Sequence, residues 1–164
     1  MSLILRDLNL GDCLIVSAYL PAEERKQIEV FTGAAYHIDA NALAAYRFRG
    51  PKWTAVDEAH SANALAVGGF IQKRPGVVET WFMAREEVWT SHGKEISRLL
   101  KGLIAQQLQD GIHRVETIVL ASREKTRRWY ELIGLHFESH LHGFGVGGED
   151  AAIYVALRKP GVTH

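Results

Sequence analysis

The sequence has little cysteine, little proline and no excess of either charge. Its single cysteine, Cys13, excludes a disulfide within the chain, and the apolar residues 14–16 beside it indicate a buried, unreactive thiol. Lys plus Arg and Asp plus Glu each total 19, so we expect no direct nucleic-acid binding and no membrane attraction. No apolar run reaches the roughly 18 residues of a membrane-spanning helix, and residues 1–12 predict no signal peptide.

The composition is that of an ordinary globular protein. Apolar residues make up 47% and charged residues 23% of 164 residues, which predicts one domain over residues 1–164. The sequence shows no repeat, no low-complexity tract and no linker. Its short Pro/Gly clusters, at 50–51, 74–76 and 145–148, indicate turns inside that domain.

The first fifty residues predict one strand followed by helices. Residues 3–8 indicate a strand, and Asn9 is placed to cap a helix from Leu10 with Asp12 in its first turn. Pro21 predicts the start of a second helix, which Gly33 ends. A third short helix is predicted over 39–48.

The middle of the chain predicts three strands, at 52–58, 64–73 and 77–84. The second and third flank the turn at 74–76, which predicts an antiparallel hairpin. Gly68 and Gly69 lie inside the second of these strands and predict a bulge or a close backbone approach.

The clearest helix is predicted over 94–109, where apolar residues recur with helical spacing at Ile96, Leu99, Leu100, Leu103, Ile104 and Leu108. A strand at 114–121, a helix at 122–133 capped by Ser122, and strands at 135–144 and 151–158 follow. This order predicts an α/β fold with a mixed sheet in which strands 77–84 and 114–121 are parallel.

The element order and the segment WYELIGLHF at 129–137 resemble the GNAT fold of the acyl-CoA N-acyltransferases. The resemblance implies a mixed, mostly antiparallel sheet of about seven strands flanked by helices. It also implies that Tyr130 is the catalytic acid that protonates the departing thiolate of coenzyme A, a role that suits a phenol. Arg123 stands where many members carry Asn. Alternatively, Trp129, Tyr130 and Ile133 simply form the apolar face of their helix.

The resemblance further implies a glycine-rich turn that holds the pyrophosphate of the cofactor before the long helix. Here the segment TSHGKEISRLL at 90–100 has one glycine, and the side chains at 94–96 can obstruct a phosphate. The cofactor is therefore either none or acetyl-CoA, with Thr90 or Ser91 as simple helix caps in the first case. The candidate cofactor-binding residues are Ser91, His92, Gly93, Lys94, Ile96, Ser97 and Arg123.

A narrower resemblance covers roughly residues 52–158 and connects the chain with phage proteins grouped with an internal virion protein of short-tailed phages. It rests on the pairs Trp81-Phe82, Val88-Trp89 and Gly93-Lys94. It implies a role in virion assembly, a location in the host cytoplasm or the virion, and partners that are other phage structural proteins or a second copy of the chain. For such a partner we predict a contact segment at 34–53, with its candidate aromatic residues Tyr36, Tyr46 and Phe48.

Carboxylates and basic residues supply further candidates. Glu79 is the candidate catalytic base, with Glu86 and Glu87 as the other nearest carboxylates and Asp57 and Glu58 as weaker ones. The basic run at 123–128 either meets the 3′-phosphate of coenzyme A or forms a solvated face.

Three histidines, His136, His140 and His142, alternate with Glu138 on one predicted strand. Alternation places them on one face, opposite Phe137 and Leu141, where they could bind zinc or form a polar contact surface that responds to protonation. We predict the contact surface and no metal.

Two classes of function therefore remain open. The glycine-poor turn favours a catalytically degenerate virion or assembly component. Tyr130 favours an acyl-CoA-dependent N-acetyltransferase that acts on a small amine or a protein amine.

Overall fold

The structure is a computed structural model that describes residues 2–161. The helices within this range are α1 (Leu10–Ala18), α2 (Ala22–Thr32), α3 (Ile38–Arg47), α4 (Glu86–Gln109) and α5 (Glu124–Leu132), with a short 3-10 helix at Glu58–His60. The strands are β1 (Leu3–Asp7), β2 (Lys52–Asp57), β3 (Ala64–Arg74), β4 (Val77–Ala84), β5 (Arg114–Leu120), β6 (His136–Leu141) and β7 (Ala151–Leu157).

The strands form one mixed sheet in the order β1-β2-β3-β4-β5-β7-β6. The pairs β1–β2, β2–β3, β5–β7 and β6–β7 are antiparallel, and β4 and β5 are parallel. β3 and β4 are neighbours joined by the two-residue turn at 75–76, where the hairpin was expected. The predicted seven-stranded, mostly antiparallel α/β architecture is confirmed, as is the parallel pairing of β4 with β5.

The chain divides into two compact units. The N-terminal unit comprises the residues up to Ile71 together with Trp81–Ile96, and the C-terminal unit comprises Gln72–Thr80 and the residues from Ser97 onward. The expectation of a single domain over 1–164 stays a prediction.

A carboxylate organises the start of the N-terminal unit. Asn9 caps α1 as predicted, because its side chain accepts from the Asp12 amide at 2.9 Å while Asp12 accepts from the Asn9 amide at 3.0 Å. Arg6 donates two hydrogen bonds to Asp12, at 2.7 and 2.8 Å, and the Thr54 hydroxyl donates a further one at 2.8 Å. Asp12 is only 3% exposed, so one buried side chain joins β1, α1 and β2.

Burial raises the pKa of Asp12, but the hydrogen bonds from Arg6, Thr54 and Asn9 outweigh it and hold that pKa below its ordinary value. A carboxylate whose pKa is lowered by folding contributes stability above its unfolded pKa, which is about 3.9 for Asp. That contribution is lost as the pH falls through the lower pKa of the folded state.

The core of the N-terminal unit lies where α1 and α3 meet the sheet strands of the same unit. Its buried members are Cys13, Val16, Leu20, Ala42, Ala45, Ala64, Val67 and Met83. Burial is the main cause that raises the pKa of the Cys13 thiol to about 11, so the predicted unreactive thiol is confirmed.

Gly68 and Gly69 mark the close backbone approach that the sequence predicts. A Cβ atom on Gly68 would lie 2.5 Å from the Trp53 ring and 2.9 Å from the Trp81 carbonyl oxygen. The irregularity in this part of the sheet is elsewhere, because the β2–β3 register shifts between Ala55 and Val56.

Two elements of the C-terminal unit, α5 and β6, differ from their predicted bounds. α5 begins at Glu124 with Arg123 at its N-cap, so the predicted cap at Ser122 is wrong; the Ser122 carbonyl instead accepts from the Glu124 amide in a turn. β6 is shorter than the predicted strand at 135–144, because residues 142–150 form the loop to β7.

Replacing Asp12 by Asn is expected to lower the free energy of unfolding by about 2–3 kcal/mol near neutral pH, because two charge-assisted hydrogen bonds from Arg6 are lost. The loss is expected to shrink as the pH falls below about 4, because Asp12 of the unfolded wild-type chain then becomes protonated before Asp12 of the folded chain does. Urea unfolding at several pH values measures both effects. The matched control is Asp39→Asn, an exposed acid in the first turn of α3, and a difference that grows toward acid pH would contradict the assignment.

Replacing Gly68 by Ala is expected to destabilise the protein by about 1–3 kcal/mol, since the new methyl group overlaps the Trp53 ring. Gly102 supplies the matched control inside α4, where a Cβ atom meets nothing within 4 Å. Gly102→Ala is expected to stabilise by about 0.5–1 kcal/mol through its helix propensity. Thermal unfolding of both variants should give shifts of opposite sign.

Candidate active site

The long helix α4 contains a break that separates two helical segments. His92 has φ −136° and ψ 17°, so the helix that begins at Glu86 is interrupted there and resumes at Gly93. The turn that the resemblance implies within 90–100 therefore does not include residues 90 and 91, because residues 86–91 are already helical. Thr90 is no cap for the second segment, since its hydroxyl donates back to the Glu87 carbonyl. The break nevertheless creates a fresh helix N-terminus at Gly93.

The His92 side chain lies inside the N-terminal unit, 7% exposed, between two carboxylates. Its Nε2 is 4.0 Å from Asp57 Oδ2 on β2, and its Nδ1 is 3.6 Å from Glu95 Oε1. Nδ1 is buried and has no hydrogen-bond partner. The burial of the imidazole does not favour the predicted contact of this side chain with a cofactor.

Glu95 occupies the stretch where a phosphate-binding turn is expected, but its carboxylate is fixed elsewhere. Glu95 Oε2 accepts from the backbone amide of Leu3 in β1 at 2.8 Å. That bond is the main cause that holds the pKa of Glu95 below its ordinary value. At Gly93 an added Cβ atom would meet nothing within 4 Å, so the backbone of the helix start is sterically accessible.

The other residues predicted in this turn differ in how exposed their side chains are. Ile96 is fully buried, so its side chain belongs to the core, as do Leu100 and Ile104 from the same predicted apolar stripe. Lys94 and Ser91 are exposed. Side-chain contact with an anion is therefore possible for Lys94 and Ser91, whereas Ile96 can offer only its backbone.

Tyr130 lies in an aromatic cluster of the C-terminal unit. Its ring centroid is 5.7 Å from that of Trp129 and 5.5 Å from that of Tyr154. Tyr154, on β7, is 2% exposed and its hydroxyl accepts from Arg127 Nε at 3.0 Å; Arg127 also donates to the Ala121 carbonyl at 2.8 Å. Tyr130 itself is half-buried, so its ring is held on two sides while part of it reaches the surface.

Ser97 connects this cluster to the second segment of α4. Its hydroxyl accepts a hydrogen bond from Trp129 Nε1 at 2.9 Å. The bond joins α5 to the part of α4 that belongs to the C-terminal unit. The predicted cofactor residue Ser97 and the predicted acid Tyr130 thus belong to one hydrogen-bonded and stacked arrangement.

The predicted basic run on α5 is not a uniform face. Arg127 turns inward to Tyr154, whereas Lys125 and Arg128 are exposed. Arg123 is half-buried at the N-cap of α5. Solvent-facing positive charge in this run is therefore carried by Lys125 and Arg128.

Glu79, the predicted base, is engaged in an ion pair. Its carboxylate lies 3.1 Å from Lys73 Nζ, and its residue pairs in register with Glu116 of β5. The paired register of β4 with β5 ends at this point, while β5 continues to Leu120. Glu87 is likewise paired, with Arg85 at 2.7 Å. These ion pairs oppose a base role, which stays a prediction for Glu79.

The predicted alternation of histidines on β6 is broken. The β6–β7 register shifts between Phe137 and Ser139, which leaves Glu138 as an extra residue. Glu138 instead receives two hydrogen bonds from Arg114, both at 2.7 Å. The shift places His140 on the face of Phe137, with ring centroids 4.9 Å apart. Within residues 2–161, no group of three or more His, Cys, Asp or Glu is arranged to hold a metal ion.

Most of the aromatic residues predicted to contact a partner pack within the N-terminal unit. Phe48 meets Trp81 edge to face at 5.1 Å, and the Tyr36 hydroxyl donates to the Ser17 carbonyl at 2.6 Å. Both pack against the core cluster. Only Tyr46 of the three remains substantially exposed, at 42%. The partner contact of segment 34–53 stays a prediction, but Phe48 and Tyr36 pack inward and do not form its contact surface.

Sequence reasoning missed three of the residues that define these arrangements. Leu3 contributes only a backbone amide, which carries no sequence signal. Tyr154 follows from the buried pattern of β7 only after the strand order is known. Arg127 belongs to a basic run that predicts either a contact with the 3′-phosphate of coenzyme A or a solvated face, and neither predicts its contact with Tyr154.

The fold is shared with N-acetyltransferases of the GNAT family. An N-acetyltransferase from Staphylococcus aureus matches with a TM-score of 0.72 and 19% identity over 97% of this chain and 100% of that one. A variant of a spermidine N-acetyltransferase from Vibrio cholerae gives 0.71 and 15% over 94% and 95%. An acetyltransferase structure with acetyl-CoA from Salmonella typhimurium gives 0.68 and 14% over 99% and 98%.

These likenesses establish that the chain has the GNAT fold. No protein-family model matches the sequence, and no curated protein matches it significantly. The described residues contain no helix that is both long and apolar enough to cross a membrane.

Single substitutions of the neighbouring residues Phe48 and Arg49 test whether segment 34–53 belongs to the core or forms a contact surface. Phe48→Ala is expected to cost about 2–3 kcal/mol of stability, since it removes the packing against Trp81. Arg49→Glu, at an exposed position, is expected to stay within about 0.5 kcal/mol of wild type. Thermal unfolding measures both, and light scattering reports any change in association. An unchanged melting temperature for Phe48→Ala would contradict its placement.

Proposed function

We propose that the chain is an acyl-CoA-dependent N-acetyltransferase. The observation that carries the proposal is Tyr130, present at the end of α5 where the resemblance implies an acid and held there by Trp129 and Tyr154. The full-length likeness to N-acetyltransferases supports the class, although a fold alone serves many activities. The chemistry is therefore argued from Tyr130 and from the start of the second α4 segment.

Acetyl-CoA would supply an acetyl group activated as a thioester. When the amine nitrogen forms its bond to the acetyl carbon and the carbon–sulfur bond breaks, Tyr130 donates its phenolic proton to the departing sulfur. The contacts with Trp129 and Tyr154 restrict the ring so that the hydroxyl keeps one direction. The proton that the amine loses goes to a base, for which Glu79 remains the candidate despite its ion pair with Lys73.

The residues present fit an anionic cofactor at the helix break. The positive end of the dipole of the second α4 segment lies at Gly93, where a bound anion is favoured. Gly93 offers backbone without a side chain, and exposed Lys94 adds a positive charge. We propose pyrophosphate contact with the backbone at 93–96 and with Lys94, and Ser91 is a further candidate in the same unit. The cofactor contacts of His92, Ser97 and Arg123 stay predictions.

The acceptor is proposed as a primary amine, either small or on a protein. One structural relative is a spermidine N-acetyltransferase, so spermidine is the first compound to test. The sequence identity of 15% leaves that choice to experiment.

A second candidate function is the non-catalytic virion or assembly component. The observation that favours it is Glu95, a carboxylate in the stretch where the resemblance implies glycine. This candidate predicts no binding of acetyl-CoA and an association with another phage structural protein or with a second copy. The structural relatives are acetyltransferases, and they support the first candidate instead.

Replacing Tyr130 by Phe is expected to lower kcat by about a hundredfold while the Kd for acetyl-CoA changes little, since only the transferable proton is removed. Release of free thiol, followed with spermidine and a panel of amines, measures turnover, and calorimetry measures binding. Tyr46→Phe, which alters an exposed tyrosine, is the matched control and should leave both unchanged. Wild-type protein that neither binds acetyl-CoA nor releases thiol would exclude the enzyme and favour the assembly role.

A further inference from the structure

Glu95 has two features that set it apart from an ordinary surface acid. It is the third residue after the break at His92, so it lies in the first turn of the second α4 segment. Its carboxylate is also fixed, because Oε2 accepts from the Leu3 amide and Oε1 lies 3.6 Å from His92 Nδ1.

The Leu3 amide is available for this bond because of its direction in β1. The carbonyl of Ser2 accepts from the Glu58 amide on the β2 side. The Leu3 N–H belongs to the same peptide unit and points the opposite way, toward the open edge of β1. Glu95 satisfies this edge donor, which an unpaired strand would otherwise leave to water.

The carboxylate is negatively charged at neutral pH, as that of an ordinary glutamate is, and the Leu3 hydrogen bond lowers the pKa of Glu95 further. A negative charge in the first turn of a helix interacts favourably with the same dipole and amides that attract a bound anion. Any phosphate that binds at Gly93 and Lys94 therefore meets a fixed like charge on the same turn.

We propose that Glu95 is an affinity-determining residue that weakens phosphate binding at the start of the second α4 segment. The inference rests on the proposed function of that segment. It deepens that function by assigning the chain a low-affinity cofactor site whose weakness comes from one fixed charge. The glycine-poor turn is then a functional, tunable site and not a vestige.

Glu95→Gln tests the proposal, because it removes the charge and keeps an oxygen that can accept from Leu3. We expect the Kd for acetyl-CoA to fall by about two- to fivefold, the equivalent of one charge in a first helix turn. The gain should shrink at 1 M salt, where the Debye length is about 3 Å. Calorimetry at one fixed pH, with melting curves to confirm folding, supplies the measurement.

Two further variants separate charge from shape. Glu95→Asp keeps the charge and shortens the side chain, so it should not bind acetyl-CoA more tightly than wild type. Glu23→Gln removes an exposed acid elsewhere in the same unit and should leave the Kd unchanged. A Glu95→Gln variant that binds equally or more weakly, or a Glu95→Asp variant that gains as much, overturns the proposal.

Inorganic pyrophosphate distinguishes failure of this inference from failure of the proposed function. If the wild type shows no binding or turnover of acetyl-CoA, the acetyltransferase assignment fails. Pyrophosphate that still raises the melting temperature of Glu95→Gln more than that of wild type supports the role of Glu95. Equal shifts, or no shift in either protein, overturn it.

Discussion

Four hydrogen bonds from three residues converge on the Asp12 carboxylate, and the N-terminal unit depends on them. Arg6 comes from β1, the Asn9 amide from the start of α1 and the Thr54 hydroxyl from β2, so each element is oriented by the same two oxygens. A buried carboxylate without such partners would cost several kcal/mol, whereas a fully bonded one specifies a single arrangement. The strand β1 that Arg6 anchors is also the strand whose Leu3 amide holds Glu95.

Much of the fold could be predicted because its signals are local. The box of Asn9 and Asp12, the end of α2 at Gly33 and the stripe that begins at Ile96 each lie within a few residues of the structure that they determine. The break in α4 and the bulge in β6 could not be predicted, because the contacts beside them join residues that are distant in the sequence. Glu95 meets Leu3 across 92 residues, and the bulge at Glu138 accompanies a bidentate contact with Arg114 across 24. Helical residues 86–91 were missed because His92 interrupts the periodicity that identifies the helix.

The candidate site shows the same division. Tyr130 could be placed on its helix from WYELIGLHF alone, but the ring of Tyr154 that holds it comes from β7. The position of His92 in the turn predicts a cofactor contact, whereas the structure buries its ring, with Nε2 4.0 Å from Asp57 Oδ2 of β2. Residue type and spacing therefore identified the chemical groups, and only tertiary packing decided which of them face inward.

The two outermost strands of the sheet share a property that concerns the chain's behaviour in concentrated solution. An edge strand with unpaired N–H and C=O groups can pair with a strand of another molecule, and this is a common route to aggregation. On β1 the outward amide of Leu3 is already occupied by Glu95. On β6 the bulge at Glu138 interrupts the regular spacing, and its carboxylate is held by Arg114. One outward donor of β1 is thus unavailable to an added strand, and the regular spacing that an added strand would need is interrupted on β6, so both edges are less suited to pairing with a strand of another molecule.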